Sequence, residues 1–223
     1  MKNDILQYES KVWETADLLI GAGIKQSDFP SFMMPFFALM MVESRLVRMK
    51  DEFVEDNDID INDIGEEVLF ELIQEENKGY NSYIFEQKKQ LKDICKNDTT
   101  FNEDFEEYLN AFDEETKRLL GVNKTNKRVN YLNIIGQSAT LEDKKILKDF
   151  ATAWSKIDLQ YFNNSEITTL EEHIKRKWAD LSADTAGEQY TPNEFFNTGI
   201  FTYLWVLKKN KKYKNTSSIK AMK

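Results

Sequence analysis

The element that decides the fold is the stretch of residues 29–49, which reads FPSFMMPFFALMMVESRLVRM. Asp28 precedes it as a helix cap, and Pro30 falls in the first turn, where a missing backbone N–H is not needed. The stretch is apolar nearly all round at its start, a pattern typical of a helix that is buried on every side. Pro35 lies deeper and predicts a kink or a restart. We therefore expect this helix at the centre of a bundle.

The same apolar run is too short to cross a membrane. Its uncharged part, residues 29–42, is shorter than the roughly 18–20 residues that a membrane-spanning helix needs, and Glu43 and Arg45 follow at once. Residues 1–9 lack the apolar core and the small-residue cleavage site of a signal peptide. These observations predict a cytoplasmic protein without membrane contact.

Amphipathic patterns on both sides of the central run predict further helices. A first helix is predicted over residues 5–21, with an apolar stripe on Ile5, Tyr8, Val12, Ala16 and Leu19. Others are predicted near 66–76, 86–95, 102–119, 129–137, 141–156 and 169–181. Thr140 is the predicted cap of the helix that follows it. Residues 80–85, which read YNSYIF, are predicted as a strand or an extended segment packed on the bundle.

Composition and charge limit the class of protein. The chain has 223 residues but only 8 glycines and 3 prolines, which favours long helices over a β fold with many turns. Its formal net charge of -9 argues against a protein that coats nucleic acid, although a local patch is still able to contact DNA. The basic run 208–214 is predicted to be a frayed, solvated terminus, with contact to DNA phosphates as the less favoured alternative.

The chain has one cysteine, Cys95, and one histidine, His173. No intrachain disulfide can form, which fits a reducing cytosolic compartment. Cys95 is predicted to be a packing thiol in a helix, and His173, beside an apolar stripe, to be satisfied by a partner or to face solvent. We predict no metal site, because these two ligands are far apart in sequence and Ile64 takes a position that should supply oxygen in a calcium loop. The acidic segment 51–63 is interpreted as a solvated loop.

The most specific pattern is the segment of residues 186–192, which reads AGEQYTP and joins a helix end to a polar turn and a new helix start. It resembles a segment of the modification (M) subunit of type I restriction-modification systems, the family of adenine-specific DNA methyltransferases. There it directly precedes the S-adenosylmethionine-binding domain. Residues 11–19 resemble the opening helix of the family, and 29–45 its second helix. The resemblance covers most of the chain, but it is sharp only at 186–192.

The resemblance implies S-adenosylmethionine as the cofactor of the family. It implies that part of the cofactor pocket is lined by Glu188, Gln189, Tyr190, Thr191, Pro192 and Asn193. A helix N-terminus with unpaired N–H groups, a tyrosine face and a threonine hydroxyl are suited to the carboxylate end of the cofactor. The resemblance also implies three kinds of partner: the specificity subunit, a second M subunit, and DNA in the assembled complex.

The chain departs from the family after Pro192. Methyl transfer to adenine needs a glycine-rich cofactor loop and a motif of the Asn-Pro-Pro-Tyr type for the flipped base. No two prolines of the chain are adjacent, and only Gly199 follows Pro192. Residues 197–207 resemble a strand from late in the catalytic domain, so we interpret the junction near 195–196 as an internal deletion of the catalytic core. No catalytic residue is predicted.

The predicted organisation has four parts: a helical domain over 1–181, a cofactor-pocket-type turn and helix start over 182–196, an orphan strand over 197–207, and a basic tail over 208–223. The predicted fold class is therefore mainly α, a helical bundle with a short C-terminal β-strand remnant. The expected function is that of a partial M subunit, inactive alone, which acts through subunit or DNA contacts. The alternative is a stand-alone helical adaptor or anti-restriction protein.

Overall fold

The computed structural model describes residues 5–56, 67–68, 71, 79–123 and 132–182. The helices in these ranges are α1 (Ile5–Gly21), α2 (Phe29–Asp56), α3 (Ser82–Phe85), α4 (Leu91–Ile94), α5 (Phe101–Asn110), α6 (Glu114–Leu120), α7 (Ile134–Asp143), α8 (Leu147–Trp154) and α9 (Asn164–Ser182). A 3-10 turn, Gln26–Asp28, leads into α2. Over the same ranges, β pairing amounts to one isolated antiparallel bridge between Asn81 and Phe112. The predicted mainly α helical bundle is confirmed for this part of the chain.

Helix α2 lies at the centre of the bundle, as its apolar sequence predicts. It contacts α1, α3, α6, α7 and α8, and every residue from 32 to 40 is buried. The ring of Phe36 stacks with Phe105 of α5 at 6.1 Å between centroids and meets Phe150 of α8 edge-on at 4.9 Å. Full burial of such a side chain stabilises the fold by roughly 2 kcal/mol, so this aromatic layer holds α2, α5 and α8 together.

Helix α2 is also longer than predicted. It runs without interruption from Phe29 to Asp56, so the restart expected at Pro35 does not occur. A proline removes one backbone hydrogen bond, but burial of the surrounding turns outweighs that loss. Residues 51–56, predicted as the start of an acidic loop, are helical, and that part of the prediction is wrong. Residues 57–63, the rest of the loop, lie outside the described residues, and of the predicted helix over 66–76 only residues 67, 68 and 71 are described, all of them helical.

Helix α1 packs on α8 and α9. Its predicted stripe is confirmed at Val12, Ala16 and Leu19, all of which are buried. Helix α9 starts earlier than the predicted residue 169, because Asn163 forms a capping box that the prediction missed. Its side-chain oxygen accepts from the N–H groups of Ser165 and Glu166, and its own N–H donates to the Glu166 carboxylate at 2.9 Å.

Residues 80–85 do not form the predicted strand. Asn81 makes the single bridge to Phe112 and then caps α3, where its side-chain oxygen accepts from the N–H of Tyr83 at 2.9 Å. Its amide group also donates to the carbonyl of Tyr108 at 3.0 Å, and the residue is fully buried. The capping preference of asparagine thus outweighs the β propensity of the neighbouring aromatic residues.

The helix predicted over 102–119 is split into α5 and α6. Asp113 causes the break, because its side chain accepts from the N–H groups of Glu115 and Thr116 and starts α6. Gly121 ends α6 with φ at 75°, and a Cβ at this glycine would lie 2.5 Å from the backbone nitrogen of Asn133. Only glycine fits both the conformation and the close approach.

Thr140 is not a helix cap. It lies inside α7, where its hydroxyl donates to the carbonyl of Gly136 at 3.1 Å, a bond that threonine can make instead of capping. The chain turns at Lys145, whose φ of 62° is left-handed, and α8 begins after it. The predicted bounds 129–137 and 141–156 are therefore wrong. Residues 124–131 lie outside the described residues.

The described chain ends with α9 at Ser182. The predicted turn and helix start over 183–196, the orphan strand over 197–207 and the basic tail over 208–223 lie outside it. Across the described ranges, no helix has the length and the apolar character that crossing a membrane requires.

Candidate functional site

The cofactor-lining residues that the sequence predicts all lie outside the described residues: Glu188, Gln189, Tyr190, Thr191, Pro192 and Asn193. The structure describes α9, the helix that precedes them along the chain, and its attachment to α1. That attachment, and the buried polar groups of α2, are the arrangements in the described part from which function can be argued.

Two residues of α9 bind one carboxylate of α1. The Oε2 atom of Glu9 lies 2.7 Å from Nδ1 of His173, and its Oε1 atom lies 2.8 Å from Nζ of Lys177. The Glu9 side chain is 10% exposed, whereas that of Lys177 is 49% exposed. The ammonium group of Lys177 also lies 5.4 Å from the centre of the Trp13 ring, within cation–π range. We call Glu9, Trp13, His173 and Lys177 the α1–α9 cluster.

The α1–α9 cluster keeps its carboxylate ionised. Burial raises the pKa of Glu9, but the hydrogen bonds and charges of Lys177 and His173 outweigh it, so the pKa lies below its ordinary value of 4.5. Because the carboxylate only accepts hydrogen bonds, Nδ1 of His173 is the donor. His173 is therefore satisfied by a partner, one of the two environments predicted for it.

A second ion pair lies within α9. Oε1 of Glu171 and Nζ of Lys175 are 2.7 Å apart, with side chains 3% and 12% exposed. Burial raises the pKa of Glu171 and lowers the pKa of Lys175, while the charge of each partner opposes the shift. Since both shifts disfavour the charged forms, desolvation outweighs attraction here, and the pair adds little net stability.

The carboxyl group of Glu43 joins three helices. Its Oε2 atom accepts from the backbone N–H of Leu91, the first residue of α4, at 2.6 Å, and from the hydroxyl of Tyr108 on α5. Glu43 is 3% exposed and Tyr108 is fully buried. The N–H of Leu91 has no partner within its own helix, so α2 supplies one. We call Glu43, Leu91 and Tyr108 the Glu43 cluster.

The Glu43 carboxyl titrates near neutral pH. Burial raises its pKa to about 7, although the hydrogen bonds from Tyr108 and Leu91 act in the opposite direction. Burial and the charge of Glu43 raise the pKa of Tyr108 well above 10, so the hydroxyl stays protonated. A carboxyl group poised in this range resembles a general acid or base. Both side chains are buried, however, so neither reaches a solvent-borne substrate in this conformation.

Two further polar residues of α2 hold the loop before α9. The hydroxyl of Ser44 accepts from the N–H of Leu159 at 3.1 Å. The guanidinium of Arg48 donates to the carbonyls of Phe162 at 3.2 Å and of Gln160 at 3.4 Å. Helix α2 therefore anchors two loops by polar groups, one before α4 and one before α9.

Cys95 follows directly on α4 and is 7% exposed. Burial raises the pKa of its thiol, hydrogen bonds with Thr152 and Ser155 lower it, and the charge of Glu43 raises it further. The predicted packing thiol is confirmed, and its protonated form is unreactive. The predicted helix over 86–95 is not confirmed, because α4 covers only Leu91–Ile94.

An open groove of about 530 Å³ runs between α3 and α5. Its lining includes Ser82, Tyr83, Glu103, Glu106, Glu107 and Asn110. The hydroxyl of Tyr83 donates to Glu107 at 2.7 Å, and this bond, with some burial, raises the pKa of Tyr83 to about 12. Three carboxylates along one wall suit a cationic partner and repel nucleic acid.

Sequence reasoning missed the roles of Glu9 and Glu43, although helical periodicity carries a signal for the second. Leu39, Met40 and Leu46 lie three or four positions from Glu43, and all three are buried. A carboxyl group on such a face has to be buried, and a buried carboxyl group needs hydrogen-bond donors. The identity of those donors, from α4 and α5, follows only from the tertiary structure.

Among the described side chains, no group of three or more histidine, cysteine, aspartate or glutamate residues is placed to hold a metal ion. Comparisons with protein-family models, curated proteins and solved structures found no match to this chain.

Proposed function

We propose that the chain is a partial M subunit of a type I restriction-modification system, which acts through contacts with the specificity subunit, with a second M subunit and with DNA in the assembled complex. The observation that carries the proposal is the segment Ala186–Pro192, AGEQYTP, with its resemblance to the family segment before the cofactor-binding domain. The mainly helical fold of the described residues supports it less strongly, because helical bundles serve many functions.

The proposal assigns no methyl transfer to the chain alone. The family transfers a methyl group from S-adenosylmethionine to adenine, and residues 188–193 would form one wall of the cofactor pocket by resemblance. The glycine-rich loop and the Asn-Pro-Pro-Tyr-type motif, which would supply the other walls, are missing from the sequence. What the chain retains is suited to binding partners rather than to catalysis.

Co-purification with the specificity subunit tests the proposal. The tagged chain is mixed with the cognate specificity subunit and resolved by size exclusion. We expect a stable complex with the full chain and an equally stable one with Tyr190→Ala/Thr191→Ala, because the resemblance assigns those two residues to the cofactor pocket. The matched control, Ser82→Ala in the acidic groove, should bind as the unmodified chain does. If the specificity subunit elutes free with every form, the proposal is wrong.

Catalysis is tested separately with labelled S-adenosylmethionine and unmethylated DNA. The purified chain should transfer no label, and calorimetry should detect weak cofactor binding or none, because the pocket has only one wall. Transfer by the pure chain would overturn the view that it is inactive alone, whatever the outcome of the co-purification.

The acidic groove favours a second candidate, a stand-alone adaptor or anti-restriction protein. The exposed carboxylates of Glu103 and Glu106, with the net charge of -9, suit a basic surface on a partner, such as a DNA-binding surface. In this case Glu103→Gln/Glu106→Gln should weaken the complex and reduce its salt dependence, whereas Tyr190→Ala/Thr191→Ala should not. A partial M subunit instead predicts that Glu103→Gln/Glu106→Gln leaves the complex unchanged.

A further inference from the structure

We propose that Glu43 and Tyr108 form a pH-dependent latch, which keeps α4 and the buried thiol of Cys95 in place while the Glu43 carboxyl is protonated and releases them when it ionises. The proposal does not depend on the proposed function, because it concerns only the described bundle. It assigns a conformational device to a buried group that no predicted site uses.

The latch acts on α4, one of the shortest helices among the described residues. Helix α4 has only four residues, too few to be stable by itself, and its first N–H is held by Glu43. Its other end leads directly into Cys95. Release of Leu91 therefore frees the start of the segment that carries the thiol.

Both hydrogen bonds of the cluster end on one oxygen atom. Oε2 of Glu43 accepts from Leu91 and from Tyr108, so a proton on Oε1 leaves both bonds in place. Ionisation instead leaves a negative charge on a residue that is 3% exposed, where its contacts among the described residues are two neutral donors and no cation. Opening of α4 lets water reach the carboxylate and removes that penalty.

Groups on the neighbouring elements raise or lower the pKa of Glu43. Tyr108 of α5 and the N–H of Leu91 favour the ionised form, while Lys92 and Asp93 of α4 act in opposite directions. Cys95 interacts with the charge of Glu43, and Lys148 of α8 interacts with Cys95. Desolvation exceeds all of these, so the closed conformation prefers the neutral carboxyl.

Labelling of Cys95 measures the opening, because it is the only cysteine of the chain. The rate of reaction with a thiol reagent is measured for the native chain and divided by the rate for the denatured chain at the same pH. This ratio removes the pH dependence of the thiol itself. With a pKa that moves from 4.5 in the open form to about 7 in the closed form, we expect the ratio to rise roughly 30-fold from about pH 5.5 to about pH 8.5.

Two variants separate the latch from general loosening. Glu43→Gln keeps the shape but cannot ionise, so its labelling ratio should be flat over this range. Asp93→Asn weakens the capping box of α4 and keeps both hydrogen bonds to Glu43, so its ratio should be higher at every pH and still rise with pH, somewhat less steeply because the Asp93 charge that raises the pKa of Glu43 is removed. A flat profile in the unmodified chain, or an unchanged slope in Glu43→Gln, would overturn the proposal.

Hydrogen exchange of the unmodified chain provides a test that needs no variant. The N–H of Leu91 is held by Glu43, and the N–H of Leu159 is held by the neutral hydroxyl of Ser44 on the same helix. Protection of Leu91, corrected for intrinsic exchange, should fall roughly 30-fold over the same range, while that of Leu159 stays constant. A parallel fall at both amides indicates global unfolding and would refute a local latch.

Discussion

The Glu43 cluster and the α1–α9 cluster each bury a carboxyl group, but they shift its pKa in opposite directions. Glu43 is 3% exposed and Glu9 is 7% exposed. Glu43 meets a tyrosine hydroxyl and a backbone N–H, and its pKa is raised to about 7. Glu9 meets Lys177 and His173, and its pKa is lowered. Desolvation is the largest influence in both cases, so the partners decide the sign.

The difference explains why the carboxyl of Glu43 changes its protonation state near neutral pH, whereas the carboxylate of Glu9 stays ionised. Hydrogen bonds from neutral donors offset part of the cost of a buried charge but not all of it. A cation in contact offsets more, particularly when it stays half exposed, as Lys177 does, and so keeps part of its own hydration. The carboxylate of Glu9 therefore stays ionised over the physiological range, whereas the carboxyl of Glu43 titrates within it.

The largest expected effect is the pH dependence that Glu43 gives to stability. Its folded pKa of about 7 is above its unfolded value of 4.5, so its contribution is fully present below 4.5 and is lost as the pH rises through 7. Relative to Glu43→Gln, the unmodified chain should lose roughly 3 kcal/mol of unfolding free energy across this window. Urea unfolding of both proteins across the window measures it, and a pH-independent difference would contradict the assignment.

The next largest effect comes from removing the two side chains that bind the Glu9 carboxylate. His173→Leu/Lys177→Met leaves an ionised carboxylate buried without a cation, and we expect a loss of about 2 kcal/mol at neutral pH. Lys177→Met alone should cost less, because His173 remains. The control adds Glu9→Gln to the double variant and should recover most of the loss. No recovery would mean that the side chains act by packing, as Lys177 does over Trp13.

A smaller effect separates a buried hydroxyl from an exposed one. Tyr108→Phe removes one of the two donors to Glu43 and should cost about 1 kcal/mol below the pKa of Glu43, and more above it, where the carboxylate is charged. Tyr83→Phe removes the hydroxyl that donates to Glu107 on the surface and should change stability by only a few tenths of a kcal/mol. Thermal unfolding of both variants measures the two losses of stability. Equal losses would show that the hydrogen bond from Tyr108 to Glu43 contributes no more than the surface hydrogen bond from Tyr83 to Glu107.

The sequence predicted those parts of the fold that follow from periodicity. The position of α2 at the centre, the bounds of α1 and the burial of Leu170 and Ile174 on α9 all follow from local patterns of apolar spacing. The ends of the helices were predicted less well, because they depend on whether a polar side chain caps a helix or bonds to another backbone group nearby. Thr140 bonds back to Gly136 instead of capping, and Asp113 caps a helix where continuity was expected.

The two clusters could not be predicted for a different reason. Glu43 meets Leu91 and Tyr108, and Glu9 meets His173, across separations of 48, 65 and 164 residues. Periodicity indicates that a carboxyl group is buried, but it does not indicate which distant donor or cation meets it. The predicted site at residues 188–193 rests on resemblance alone and stays a prediction.

The smallest expected effect reverses the sign of the first. The pKa of Glu9 is lowered, so its contribution is present above its unfolded value of 4.5 and is lost as the pH falls through the folded value. Since Lys177 and His173 are partly exposed, we expect the stability difference between the unmodified chain and Glu9→Gln to shrink by up to about 1 kcal/mol from about pH 6 to about pH 3. Urea unfolding at low ionic strength measures it, and added salt should reduce it. The stability of the unmodified chain should fall towards high pH relative to Glu43→Gln and towards low pH relative to Glu9→Gln. Equal slopes for both variants would show that burial alone, and not the partner, controls each carboxyl.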